Sequence, residues 1–181
     1  SSDTIFNNTF NLSNSAEVEE NEINGKEFEI LVFLVNYEEK SIGNSNYIDL
    51  FLIDIKGFLN IRVFKDIIDE KNITLNVGET YVISLVHALG RDGRMRLRFK
   101  SIVAKEKLKN SYFKYFKIHL NSLENIDDLK VKLYELNEGN KKINIVYNNT
   151  EISSGISIDP EVNLDNLLGK IEGIKYIEKI M

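Results

Sequence analysis

The chain of 181 residues has no cysteine, a single proline and only two histidines. Without cysteine there is no disulfide framework and no thiolate metal site; this suits a reducing compartment, and the chain is read as cytoplasmic. His87 and His119 lie far apart in β-patterned runs, and neither has a second imidazole nearby to complete a metal-ligand set. Both are read as structural, and no metal or other cofactor is expected. No apolar run approaches the ~20 residues that a bilayer span needs, and the N-terminus lacks the basic and then apolar layout of a signal peptide. No membrane partner is expected. Glycine-rich phosphate loops are missing too: Gly90-Arg91-Asp92-Gly93 is hairpin chemistry, with neither a Rossmann strand before it nor the Lys-Ser/Thr of a P-loop after it. The carboxylate pairs Glu38/Glu39 and Asp127/Asp128 are adjacent in sequence, where surface and helix-dipole roles suffice. With no convergent titrating groups, catalysis is not expected of this chain. It opens on Ser rather than Met and is read as a piece of a longer polypeptide.

What is present describes a globular protein: 43% of residues are hydrophobic and 28% charged, enough for one large or two small domains. The net charge of −5 conceals an asymmetry. Residues 91–117 hold ten Lys/Arg against Asp92 and Glu106, a local balance of +8, so the remainder carries −13. An acidic chain with one basic island presents a single face to a polyanion and repels it elsewhere.

The island begins with residues 89–100 (LGRDGRMRLRFK). After the turn residues, cations fall at every second place (Arg94, Arg96, Arg98, Lys100), with Met95, Leu97 and Phe99 between them. Successive side chains of a strand point to opposite faces, so this spacing predicts one apolar face and one row of cations.

In chain order, residues 1–25 are rich in Asn and Ser, carry acidic residues without a basic one, and are read as a flexible acidic lead-in. Within it Ile5-Phe6 is the aliphatic-Phe pair of short peptides that dock into the bacterial sliding clamp. From residue 26 the pattern turns to strands: 27–37, 47–55 and 58–64, with a turn cluster at 38–46 and a tight turn at 56–57. A short helical run at 65–75 precedes a fourth strand at 79–88, and the arginine stripe is the fifth. Five strands with a helix between the third and fourth is the element order of an OB-fold, a small Greek-key barrel, here over residues 26–105. In that fold the fifth strand runs beside the third, so an outward Arg62 would continue the cationic surface. With Leu50 and Leu52 facing the core, Phe51 points outward beside Arg62, a base-stacking group next to phosphate contacts. Glu38 and Glu39 place negative charge in the strand 1–2 loop. The nucleic-acid-binding residues expected are therefore Phe51, Arg62, Arg91, Arg94, Arg96, Arg98 and Lys100.

Residues 106–115 read as a basic connector, and residues 116–181 as a small α+β domain. That domain has a strand at 116–121, a helix opened by Asn125 and stopped by Gly139, and a hairpin turning at Asn148-Asn149. A second helix is opened by Asp159-Pro160, and the apolar end at 174–180 fits either strand or helix. The fold class expected is thus an all-β, five-stranded OB barrel followed by a small α+β domain.

Several of these segments together resemble the C-terminal region of the bacterial DNA polymerase III alpha subunit, the C-family replicative polymerase. Residues 47–64, with Asp54 before Gly57 and Val63-Phe64 closing the third strand, look like that family's OB segment. Gly78, the β-run after it and Arg91-Asp92-Gly93 are similar to its fourth and fifth strands. Residues 126–147 and 158–169 look like the helix, strand and Pro-initiated helix of its last domain. The resemblance implies that the barrel handles single-stranded template DNA and that the last domain binds the tau subunit of the clamp loader. It leaves the family's catalytic aspartates in upstream domains. Two other readings stand beside it: a replisome protein-interaction module without direct DNA binding, and an OB-fold RNA binder such as an anticodon-binding domain.

Overall fold

The computed structural model describes residues 2–181, with side chains from residue 5 onward. The chain divides into two units, Ser1–Leu108 and Lys109–Met181.

The first unit opens with helices α1 (Ser2–Phe10) and α2 (Ser15–Glu20). Strands β1 (Glu27–Ile42), β2 (Ser45–Asp54) and β3 (Gly57–Phe64) follow, then α3 (Lys65–Glu70), β4 (Thr80–Leu89) and β5 (Met95–Ala104). Alternation dictates the core. Phe28, Ile30, Val32 and Leu34 of β1, Ile48, Leu50 and Leu52 of β2, and Leu59, Ile61 and Val63 of β3 all turn inward onto Ile83 and Leu85 of β4. Each such side chain, fully buried, contributes about 1.5–3 kcal/mol.

The strands form one antiparallel sheet in the order β3-β2-β1-β4-β5. This is the order of an OB barrel opened between β3 and β5, so the unit is OB-like and the expected closed barrel is corrected to an open sheet. β3 and β5 come within 8 Å of each other, but no β3–β5 ladder forms. The reason lies in β5: its pairing with β4 shifts between Ser84 and Leu85, leaving Lys100 as a bulge. The Lys71 ammonium donates to the Lys100 carbonyl at 2.8 Å, taking an acceptor that a strand partner would use.

Two further expectations change. β1 runs on to Ile42, so the turn cluster at 38–46 is mostly strand; Glu38 and Glu39 lie on β1, paired with Asp49 and Ile48. The lead-in read as flexible carries α1 and α2, its Ser13 bridges Ile30, and Val18 is buried in the first core. Composition averaged over 25 residues concealed two apolar side chains, Phe6 and Val18, that have places to pack.

Helix α4 (Lys105–Tyr112) occupies most of the presumed connector. The second unit continues with β6 (Tyr115–Leu120), α5 (Ile126–Glu135), β7 (Lys141–Tyr147), β8 (Thr150–Ile158), α6 (Leu164–Leu168) and β9 (Ile174–Ile180). Its four-stranded sheet has the order β8-β7-β6-β9, with β6 and β7 parallel and joined through α5. Leu129 and Leu133 of α5 and Leu164 and Leu168 of α6 share one core with Phe116, Ile118, Ile143 and Ile158. The β7–β8 turn forms at Asn148 and Asn149, both at positive φ, as a two-residue hairpin requires. The second helix begins later than Asp159-Pro160 suggested. Asp159 Oδ1 accepts from Glu161 N in a turn, and α6 is capped by Asn163, whose side chain accepts from Asn166 N. The C-terminal run is a strand, β9, antiparallel to β6. Among the described residues no helix is long and apolar enough to cross a membrane.

Candidate nucleic-acid interface

The alternation that sends Leu50 and Leu52 inward turns Tyr47, Asp49, Phe51 and Ile53 of β2 to the other face. Their partners on β3 are Phe64, Arg62, Asn60 and Phe58. β1 extends the same rows with Lys40 beside Tyr47, Glu38 beside Asp49, Asn36 beside Phe51 and Phe33 beside Ile53. The result is a face with aromatic rings at both ends and one between. Phe58 is 74% exposed, Phe64 51% and Phe33 42%, while Phe51 is half-buried. Tyr47 and Phe64 pack with ring centroids 4.8 Å apart. At ~3.3 Å per residue, Phe58 and Phe64 stand about 20 Å apart along β3, a length that several stacked or splayed bases would cover. Phe51 and Arg62 meet as expected, in a recess of about 370 Å³ that also includes Lys40, Asp49 and Asn60. Tyr47, Phe58, Phe64 and Asn60 were missed by sequence reasoning. The signal for them was available, since the period that placed Phe51 outward applies equally to β3.

Charge on this face is paired. The Arg62 guanidinium forks onto Asp49, Nε to Oδ1 at 2.8 Å and Nη2 to Oδ2 at 3.1 Å, and lies over the Tyr47 ring. Lys40 Nζ reaches Asp49 Oδ2 at 3.0 Å, and Lys65 pairs with Glu39 at 3.4 Å. Hydrogen bonding from Arg62, then from Lys40, lowers the Asp49 carboxyl to about 2. A carboxylate depressed in the folded state contributes stability that is fully present above its unfolded value and is lost as pH falls through the folded one. The Asp49 contribution is therefore expected to disappear between pH 3.8 and about 2. Asp49 is half-buried, but Arg62 and Lys40 are exposed, so the effect is small. Thermal unfolding of Asp49→Asn beside the wild type should show melting temperatures that converge across that window. A constant gap would contradict the assignment.

On β5 the expected stripe is present but unequal. Arg96, Arg98 and Lys100 are exposed, while Leu97 and Phe99 pack on the first core. Arg94 lies in the loop before the strand, and the bulge at Lys100 ends the alternation. Arg96 is clipped by Asp92 through two contacts, Nη1 to Oδ1 at 2.8 Å and Nη2 to Oδ2. That fork, with a bond from Arg94 N, lowers the Asp92 carboxyl to about 2. Lys100 pairs with Glu27 at 2.5 Å. Arg91, Arg94 and Arg98 have no ion-pair partner among the described residues, so they are the cations free to meet phosphate. Arg62 and β5 are not joined by a ladder, and Arg62 is engaged by Asp49.

The remaining candidates have structural partners. Phe6 is buried at 3% against Phe10, with Lys105 over its ring, while Ile5 is exposed. The Ile5-Phe6 pair is thus split between the fold and the surface; the side chains of the three residues before it lie outside those described. His87 is buried and donates from Nε2 to the Val18 carbonyl at 2.8 Å, tying α2 to β4. His119 bonds Glu178 at 2.8 Å and stacks on Tyr176. Among the described residues no group of three or more His, Asp and Glu side chains is placed to hold a metal ion.

No protein-family model and no curated protein sequence matches the chain. Two solved structures of asparaginyl-tRNA synthetase from Pyrococcus horikoshii, one of them complexed with asparaginyl-adenylate, are similar to it at 12% identity with a TM-score of 0.33. Each match covers 83% of this chain and 44% or 43% of the synthetase chain, so the chain spans less than half their length.

Proposed function

We propose that the first unit binds single-stranded nucleic acid, with bases stacked across the outward face of β2 and β3 and phosphates held by the β4–β5 loop and β5. One observation carries this reading: Tyr47, Phe51, Phe58 and Phe64 share a face on two paired strands, and the free cations Arg91, Arg94 and Arg98 belong to the same sheet's β4–β5 hairpin. Stacking accepts any base, because every base has a π-face, and free arginines supply the salt-dependent part. No covalent step belongs to the proposal.

The resemblance to the polymerase III alpha subunit supplies the setting. The nucleic acid is then single-stranded template DNA in replication, the chain is a non-catalytic part of the polymerase, and the second unit holds the tau subunit of the clamp loader. The hairpin closed by Asp54 and Gly57 supports this setting. Clamp docking through Ile5 and Phe6 would require Phe6 to leave its buried place and forms no part of the proposal.

Fluorescence anisotropy with labelled oligo-dT across a salt series tests the reading. Three free arginines predict a slope of log K against log salt of about −2 on single strands. Phe51→Ala should weaken binding by roughly 1–3 kcal/mol with little change in melting temperature. Absence of salt-dependent binding at low ionic strength would remove the proposal. Capture of tau by a chain that ignores DNA would favour the protein-interaction reading.

A further inference from the structure

The recess at Phe51 has a feature that stacking alone does not require. Phe51 is flanked in one cross-strand row by Asn36 on β1 and Asn60 on β3. Both asparagines are exposed, and neither carboxamide has a hydrogen-bond partner among the described residues. Asn60 lines the recess together with Phe51, Lys40, Asp49 and Arg62.

Asn36 is on this face only because β1 is bulged. Phe28, Ile30, Val32 and Leu34 all point into the core, so an unbroken alternation would send Asn36 inward as well. The register of β1 on β2 shifts between Leu34 and Asn36, leaving Val35 as the extra residue. Past the bulge Tyr37 packs on the core and Asn36 turns outward, opposite Phe51. A bulge costs a ladder bond and commonly serves to re-aim a side chain. Here it delivers a carboxamide to one side of the ring whose other side already has one.

The electrostatics of the recess agree with contact to a base rather than to phosphate. Asp49 and Glu38 together balance Arg62 and Lys40, so the row beside Phe51 has neither a strong free cation to seize phosphate nor a free anion to repel it.

We infer that this recess selects the base it holds and that the base is a purine, an inference that rests on the nucleic-acid reading above. A carboxamide presents an acceptor oxygen beside donor hydrogens, and so pairs with an edge that offers a donor beside an acceptor. Adenine offers that combination on two edges, the N6 amino group with N1 and the N6 amino group with N7. Guanine offers it on two edges as well, N1–H with O6 and N2–H with N3, whereas a pyrimidine offers it on one edge only. Two carboxamides flanking one stacked ring can therefore grip two edges of a purine. The row spans two strand spacings, roughly 9.6 Å between Asn36 and Asn60, which leaves room for a purine between their side chains.

The test compares oligo-dT of about 12 nucleotides carrying dA or dG at regular positions with the same oligonucleotide carrying dC there, by anisotropy on the full chain. The dA and dG versions are each expected to bind about five-fold or more tightly. Asn60→Ala and Asn36→Ala should each reduce that preference while leaving the salt slope and the melting temperature nearly as in the wild type. Equal affinity for the purine-containing and dC-containing oligonucleotides, or a preference that both variants retain, overturns the inference and leaves the nucleic-acid reading standing. Absence of salt-dependent binding to every oligonucleotide overturns both.

Discussion

Replacing Gly139 with Ala is expected to destabilise the second unit by about 3 kcal/mol or more. Gly139 stands where the chain leaves α5 to enter β7, at φ +152°, and there it passes against the end of β8. A Cβ at this position would lie well under 3.0 Å from the carbonyl carbon and oxygen of Ile158 and from Asp159 N. All three are backbone atoms, so no side chain can rotate away. Moving them would disturb Ile158, which is fully buried and pairs with Lys141 at the start of β7. Gly43→Ala is the matched control: its φ is +60°, but nothing lies within 4 Å of the added methyl, so only the backbone cost of about 1–2 kcal/mol remains. Urea unfolding read together with hydrogen exchange separates the two, with the loss for Gly139→Ala confined to residues 109–181. A Gly139→Ala midpoint equal to that of the wild type would show that the α5–β7 connection can move aside.

Loss of the Asp54 carboxylate should cost about as much in the first unit, roughly 3 kcal/mol. Asp54 ends β2 and accepts four hydrogen bonds. Oδ1 takes Lys56 N at 2.9 Å and Gly57 N at 3.0 Å, which closes the β2–β3 turn. Oδ1 also takes Ser15 Oγ at 2.7 Å, and Oδ2 takes Ser15 N at 2.6 Å, which fastens the start of α2 to the hairpin. Ser15 is buried, so Asp54→Ala would leave its donors without partner or water. Asp54→Asn should retain much of the turn but lose the bond from Ser15 N, because an amide nitrogen cannot accept it. Expected results are a lower urea midpoint for both variants, with Ala the worse, and faster exchange over α2 than over β4. Unchanged protection of α2 in Asp54→Ala would mean that Val18 and His87 hold the helix unaided. The same hairpin carries Phe51, Phe58 and Phe64, so this carboxylate also sets the frame of the proposed stacking face.

Much of the architecture was legible because it depends on local periodicity. The inward Leu50 and Leu52, the outward Phe51, the Asn148-Asn149 turn and the apolar stripe of α5 follow from neighbours within a few residues. Errors arose where a local pattern was interrupted or overridden. The acidic cluster at 38–46 resembled a loop, yet the ladder to β2 keeps Glu38 and Glu39 in strand, with Lys40 pairing Glu38 and Lys65 of α3 pairing Glu39. The lead-in had no period to read, and it is held by contacts distant in sequence, among them the packing of Val18, the Ser15–Asp54 bonds and the bond from His87 to the Val18 carbonyl. Barrel closure failed at Lys100 because a bulge and the Lys71 side chain intervene, and neither is visible in the alternation of residues 94–100.

The sequence by itself determined which residues of each strand share a face, because successive side chains point to opposite sides whatever surrounds them. Tertiary structure alone decided which cations on those faces are free. Arg62 is held by Asp49 from the neighbouring strand and Lys100 by Glu27, 73 residues away, while Arg91, Arg94 and Arg98 have no ion-pair partner among the described residues. It also decided that Asn36 joins Phe51 and Asn60, since a bulge reverses the parity of a strand and arises from pairing between strands rather than from the strand's own residues.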